Sequence, residues 1–121
     1  MTTTAQDITV YEGEDKNITI SVTDTAGGSA VNMTAATSIT WRVTTKKNVD
    51  TATIEKTLAA GGITLANDAG TNDQIVIALA SADTQGLEGD KYYHECRMVD
   101  SAGKNHVVAI GYFDVKYSVT G

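Results

Sequence analysis

The sequence predicts an all-β fold, a small two-layer sandwich of about seven or eight strands. Three observations predict it. Strand-sized apolar runs recur roughly every 8–14 residues, separated by clusters of Gly, Asn, Asp, Ser and Thr. Most of these runs alternate apolar and polar residues, the period of a strand with one buried face. No stretch carries helical periodicity for longer than a single turn.

Taken in order, residues 1–7 are mostly small and polar and read as a flexible N-terminal arm, with a single domain from 8 to 121. Ile8 and Val10 alternate with Asp7 and Thr9 in a short strand that ends at Glu12, Gly13, Glu14 and Asp15. In KNITISVTD, Ile18, Ile20 and Val22 share the inward face. A glycine-bearing loop follows at 24–29. In SITWRVTT, Ile39, Trp41 and Val43 line one face, and Trp41, the chain's one tryptophan, is the candidate for the centre of the core. Residues 52–58 read as an edge strand, with Ile54 and Leu58 on one side and Lys56 between them. Gly61 and Gly62 turn the chain into Ile63, Thr64 and Leu65, and QIVIALA supplies Ile75, Ile77 and Leu79. Ser81, Ala82, Asp83 and Thr84 suit one capped helical turn. The run 87–119 reads as a long hairpin about Asp100, Ser101, Ala102 and Gly103. Its outgoing strand puts Tyr92, His94, Cys96 and Met98 on one face; its return puts Val107, Ala109, Gly111, Phe113, Val115 and Tyr117 on one face.

Composition narrows the function. A chain of 121 residues with 41% hydrophobic and 20% charged residues can bury a core without staples. One cysteine, Cys96, excludes an internal disulfide and suits a reducing compartment. MTTTAQDITV shows neither a basic n-region nor an apolar h-region, so no secretion signal is expected, and no apolar run is long enough to span a bilayer. The net charge of −6, with no basic cluster beyond Lys46 and Lys47, argues against nucleic acid. Neither a nucleic-acid nor a membrane partner is expected.

No catalytic, cofactor-binding or metal-binding residue is assigned. His94 and Cys96 point the same way along one strand, yet a nucleophilic thiol also needs an orienting group and an oxyanion site, and nothing marks either. A lone mid-strand cysteine reads as a small core residue. His94, Cys96 and His106 would form a three-ligand set only if the hairpin register brought His106 opposite, and the paired spacing of a zinc site is missing. The oxygen-rich loop 67–73, with Asn67, Asp68, Asn72 and Asp73, lacks the alternation and closing glutamate of a calcium loop; whether it binds an ion is left open. Glu12, Glu14 and Asp15 read as solvated surface. No enzyme is expected.

A succession of motifs runs along the whole chain: Gly13 after the first strand, Asp24 and Gly27, then 33–37, then Gly62, Ile63 and Thr64. Leu87, Gly89 and Tyr92, Asp100 and Gly103, and Gly111 with Phe113 complete it. This succession resembles the immunoglobulin-like β-sandwich domains of tailed-phage virion proteins, which include capsid decoration (cement) proteins and N-terminal domains of baseplate and tail proteins. Tyr92 stands one residue later than the pattern has it, and Ala30 takes the place of a usual proline. The resemblance implies an immunoglobulin-like antiparallel sandwich and a non-enzymatic structural role. It implies a capsid decoration protein that binds and stabilises the major capsid protein lattice, with homotrimers at symmetry axes as one arrangement. It also implies a place in the virion after synthesis in the bacterial host cytoplasm. The arm 1–7 would suit addition to a capsid-protein strand edge. The alternatives are a tail, baseplate or head–tail component, and a carbohydrate-binding adhesive module using Tyr11, Trp41 or Tyr112 for stacking.

Overall fold

A computed structural model describes residues 4–22, 36–45, 53–68, 71–84 and 91–116. Its elements are β1 (Thr4–Ala5), β2 (Ile8–Tyr11), β3 (Lys16–Ser21), β4 (Ser38–Thr44), β5 (Ile54–Thr57), β6 (Ile63–Asp68), β7 (Thr71–Leu79), α1 (Ser81–Thr84), β8 (Lys91–Val99) and β9 (Asn105–Lys116). Two sheets result. One runs β1-β9-β8-β4-β5 with β2 also paired to β9; the other runs β3-β7-β6. The fold is an all-β sandwich. Its strand order is the immunoglobulin-like one, in which the second, fifth and fourth strands of the fold form one layer. The third, sixth and seventh strands form the other, widened by an additional edge strand.

The alternation read from the sequence sets which side faces inward. Ile18 and Ile20 of β3, Ile75, Ile77 and Leu79 of β7, and Ile63 of β6 meet Ile39, Trp41 and Val43 of β4 and the inner residues of β8 and β9 in one core. Trp41 is wholly buried at its centre, as the sequence expects, and packs edge-on against Phe113 with ring centroids 5.6 Å apart. Ile54 is buried on the edge strand β5. Lys56, on the same inner side, reaches out of the sandwich to Asp83 of α1 at 2.8 Å. Asp83 in turn accepts from the Ala80 amide, capping the short helix. Asp15 accepts from the Ser81 amide and Thr84 from the Gly13 amide, so α1 is fastened to the turn between β2 and β3. Part of the acidic cluster expected to be mere solvated surface thus holds this turn.

Three features depart from the sequence reading. The described residues form nine strands rather than seven or eight, because the N-terminal run is split into β1 and β2. Both pieces lie parallel to β9, so the sandwich is not wholly antiparallel. Thr4 and Ala5, which fall within the expected arm 1–7, are paired with Ala109 and Ile110. Backbone groups of a strand edge are satisfied by a neighbouring strand, and β9 offered one. Finally, the register of β8 against β9 shifts between Cys96 and Arg97. Cys96 lies opposite Ala109 and Arg97 opposite Val107, so Val108 is the extra residue of a bulge and is buried beside Ala109. Val107, expected on the inner face, is only half-buried for that reason. The expected loop at 24–29, residues 33–35 of the 33–37 motif, and Leu87, Gly89 and Tyr117 lie outside the described residues.

The hairpin turn follows the sequence. The Asp100 carboxylate accepts from the amides of Ala102 and Lys104, and Gly103 sits at φ 82°, a conformation that glycine adopts without a side-chain clash.

Candidate interaction surface

His94 lies in the core, 3% exposed. The indole Nε1–H of Trp41 donates to its Nδ1 at 3.2 Å. That bond leaves Nδ1 without a proton, so Nε2 carries it and donates to the carbonyl of Gln6 at 2.5 Å. Neutral imidazole is therefore satisfied at both nitrogens. Burial holds its pKa below the ordinary histidine value; the Gln6 carbonyl and the charge of Asp7 pull the other way without overcoming it. The consequence is a pH dependence. An unfolded imidazole takes up its proton near pH 6.5 while the folded one resists, so His94 contributes stability that is intact above about pH 6.5. That contribution falls as the pH drops towards the lower folded value. Urea midpoints should decrease between pH 7.5 and pH 5, and His94→Gln should flatten that slope; an unchanged slope in the variant would assign it to the carboxylates.

Cys96 is also wholly buried, and burial, with Glu95 nearby, pushes its thiol up to about 12. At neutral pH it is a thiol in an apolar setting, not a nucleophile. His106 stands opposite Met98, whereas His94 stands opposite Gly111, so the register separates the two histidines by several residue pairs. His106 Nε2 instead donates to the Asp100 carboxylate at 2.8 Å, and that contact is the largest cause holding the Asp100 carboxyl below its usual range. No group of three metal-ligating side chains occurs among the described residues. The side chains of 67–73 that bear on ion binding lie outside the described residues.

The remaining surface is uneven. Among the described residues the exposed large hydrophobic side chains are Tyr11 at 55%, Ile110 at 45% and Tyr112 at 39%. Alternation along β2 and β9 buries Ile8, Val10, Phe113 and Val115. All three exposed residues therefore stand on the outer face of the six-stranded sheet. Tyr93 of β8 adjoins Tyr112 across the strands, with ring centroids 5.4 Å apart, and the Lys91 ammonium lies 4.8 Å from the Tyr112 ring centre. Charges on this face are closed among themselves: Arg42 pairs with Glu55 at 3.1 Å, Arg97 with Glu95 at 3.4 Å, and Lys91 stands opposite Asp114. With Lys116, the outward-facing side chains of these strands make four cations and three carboxylates, one net positive charge; Lys56 of β5 faces inward. The chain as a whole carries −6, so the rest of it carries −7. The outer face of β3-β7-β6 has no exposed large hydrophobic residue among those described. This face, with its exposed apolar side chains and nearly balanced charge, is the candidate contact surface.

The sequence placed Tyr11 and Tyr112 among candidate contact residues but missed Ile110 and Tyr93. The period-two alternation of β9 puts Ile110 on the solvent side, which was the available signal. Trp41, the third candidate for sugar stacking, is sealed in the core.

No protein-family model matches this chain, and no curated protein matches it. Three solved structures align over most of its length. The 2,6-sialyltransferase of Photobacterium sp. JT-ISH-224 shares 9% identity over 95% of this chain and 18% of its own, with a TM-score of 0.39. Murine CRIg shares 11% over 93% of this chain and 92% of its own, at 0.41. A structure of ICOS in complex with ICOS-L and an anti-ICOS-L VNAR domain shares 8% over 96% and 56%, at 0.39. This chain spans less than two thirds of the sialyltransferase and of the matched chain in the ICOS structure. At these scores the likeness carries no argument about activity or partners. The strand order does the identifying, and it identifies a fold.

Proposed function

We propose that this protein is a non-enzymatic virion building block, a capsid decoration protein that binds the major capsid protein lattice and stabilises it by many weak contacts. The observation that carries a contact role is the division of labour among its side chains. His94, Cys96 and His106, the groups that carry chemistry, are engaged or buried within the fold. Among the described residues, the exposed large apolar side chains gather on one sheet face. The capsid assignment is supported by the motif succession along the chain and by a sandwich that needs no disulfide. Weak contacts repeated over a lattice gain strength from multivalency rather than from one deep site.

Purified chain added to capsids lacking it should bind at a fixed copy number per capsid and raise the temperature at which they lose their contents. Absence of binding, together with unaltered heat survival of virions that lack the protein, would remove the capsid reading. Binding confined to tails would replace it with a tail or baseplate role.

A further inference from the structure

We infer that the outer face of the six-stranded sheet is a self-association surface, and that two copies pair through it about a two-fold axis lying along the seam between β8 and β9. The inference does not rest on the capsid reading; it leaves strand edges and the other sheet for any lattice.

Charge selects the occupant. Two copies meeting through any other part of the surface bring together parts of a −7 remainder, whereas this face carries one net positive charge, mostly closed in pairs. Register then selects the axis. A two-fold axis in the plane of the interface, parallel to the strands and midway between β8 and β9, carries each residue onto the partner copy of its own cross-strand neighbour. Lys91 and Asp114 are cross-strand neighbours, as are Tyr93 and Tyr112, and Glu95 and Ile110. In the pair of copies, Lys91 of each therefore meets Asp114 of the other. Tyrosine meets tyrosine at the centre, and Ile110 is covered by the aliphatic stem of Glu95. The pattern is self-complementary at every one of these positions.

Area sets the strength. Five strands abreast at about 4.8 Å, each roughly seven residues long at about 3.3 Å, give roughly 550 Å² of flat sheet per copy. Side-chain relief brings that towards, but not beyond, the roughly 800 Å² per partner of a standard interface. The dimer is one that dissociates on dilution.

The test is sedimentation velocity over a dilution series, from about millimolar to below about micromolar. Wild-type protein should pass from dimer to monomer, and Ile110→Lys should be monomeric throughout with unchanged circular dichroism. Lys91→Asp and Asp114→Lys should each weaken self-association at least tenfold, because each sets like charges against like across the axis. An equimolar mixture of those two variants should recover the dimer, since the carboxylate introduced at position 91 of one copy then meets the ammonium introduced at position 114 of the other. Each variant keeps its own repulsion within the chain, so only contact between copies explains the recovery. A wild-type chain that stays monomeric at the highest concentration overturns the inference. So does a trimer, a dimer indifferent to Ile110→Lys, or a mixture that fails to recover.

Discussion

Trp41→Ala is expected to cost about 3–5 kcal/mol of folding stability, the range for deleting a buried aromatic side chain. A domain of this size has about 5–15 kcal/mol in all, so the loss is a large share of the whole. Two losses combine. The indole fills the space between the sheets against Phe113, in a core built largely of β-branched residues, and its removal leaves a void there. Its N–H is also the donor to His94 Nδ1, and removing it leaves a buried acceptor unmatched. Trp41→Phe separates the two. It keeps most of the apolar volume, loses the donor, and should cost about 1–3 kcal/mol. It should also soften the acid sensitivity, because a protonated Nδ1 then no longer faces an N–H. Chemical denaturation of the three proteins at pH 7.5 measures the costs. A Trp41→Ala loss below about 1 kcal/mol would mean that the core is organised elsewhere.

Gly111→Ala is expected to detach the N-terminal strand. A β-carbon at this position would run into the carbonyl group of Gln6, well inside van der Waals contact, and the obstacle is backbone rather than a yielding side-chain tip. Gln6 cannot retreat freely. Its amide donates to the Ile110 carbonyl at 2.9 Å, its carbonyl accepts from His94, and its side-chain amide donates to the Thr19 carbonyl of the opposite sheet at 3.2 Å. Asp7 beside it accepts from the Tyr112 amide at 3.0 Å. Overpacking of this kind costs about 1–3 kcal/mol, and withdrawal of Gln6 adds about 1–3 kcal/mol for the unmatched Nε2–H of His94. Together they make a loss of about 2–6 kcal/mol the expectation. Hydrogen exchange reads it locally: the Gln6 amide should lose protection in the variant while β4 and β8 keep theirs. Equal protection of Gln6 in both proteins would show that the crossing from β1 to β2 adapts without strain.

These two sites differ in how far they could be read beforehand. Trp41 was legible as the core's centre because its neighbours Ile39 and Val43 share its face, and that alternation is local. Gly111 was legible only as a gap in the inner face of β9, since the group that forbids a side chain there comes from Gln6, near the opposite end of the chain. His94 was legible as inward-facing, whereas its satisfaction by Trp41 and Gln6 depended on two pairings with no sequence mark. The candidate surface was half legible: Tyr11 and Tyr112 stood out as aromatics and alternation put Ile110 on the solvent side, while the approach of Tyr93 to Tyr112 needed the β8–β9 register.

Alone, then, the sequence determined the all-β class, most strand positions and the inward set of side chains, because period-two patterning expresses burial within a few residues. Tertiary structure decided that β1 and β2 add in parallel to β9, that a bulge sends Val108 inward, and that the exposed large apolar residues among those described lie on one sheet. Those outcomes hinge on which distant edges satisfy each other's amides and carbonyls, and no local stretch encodes that choice.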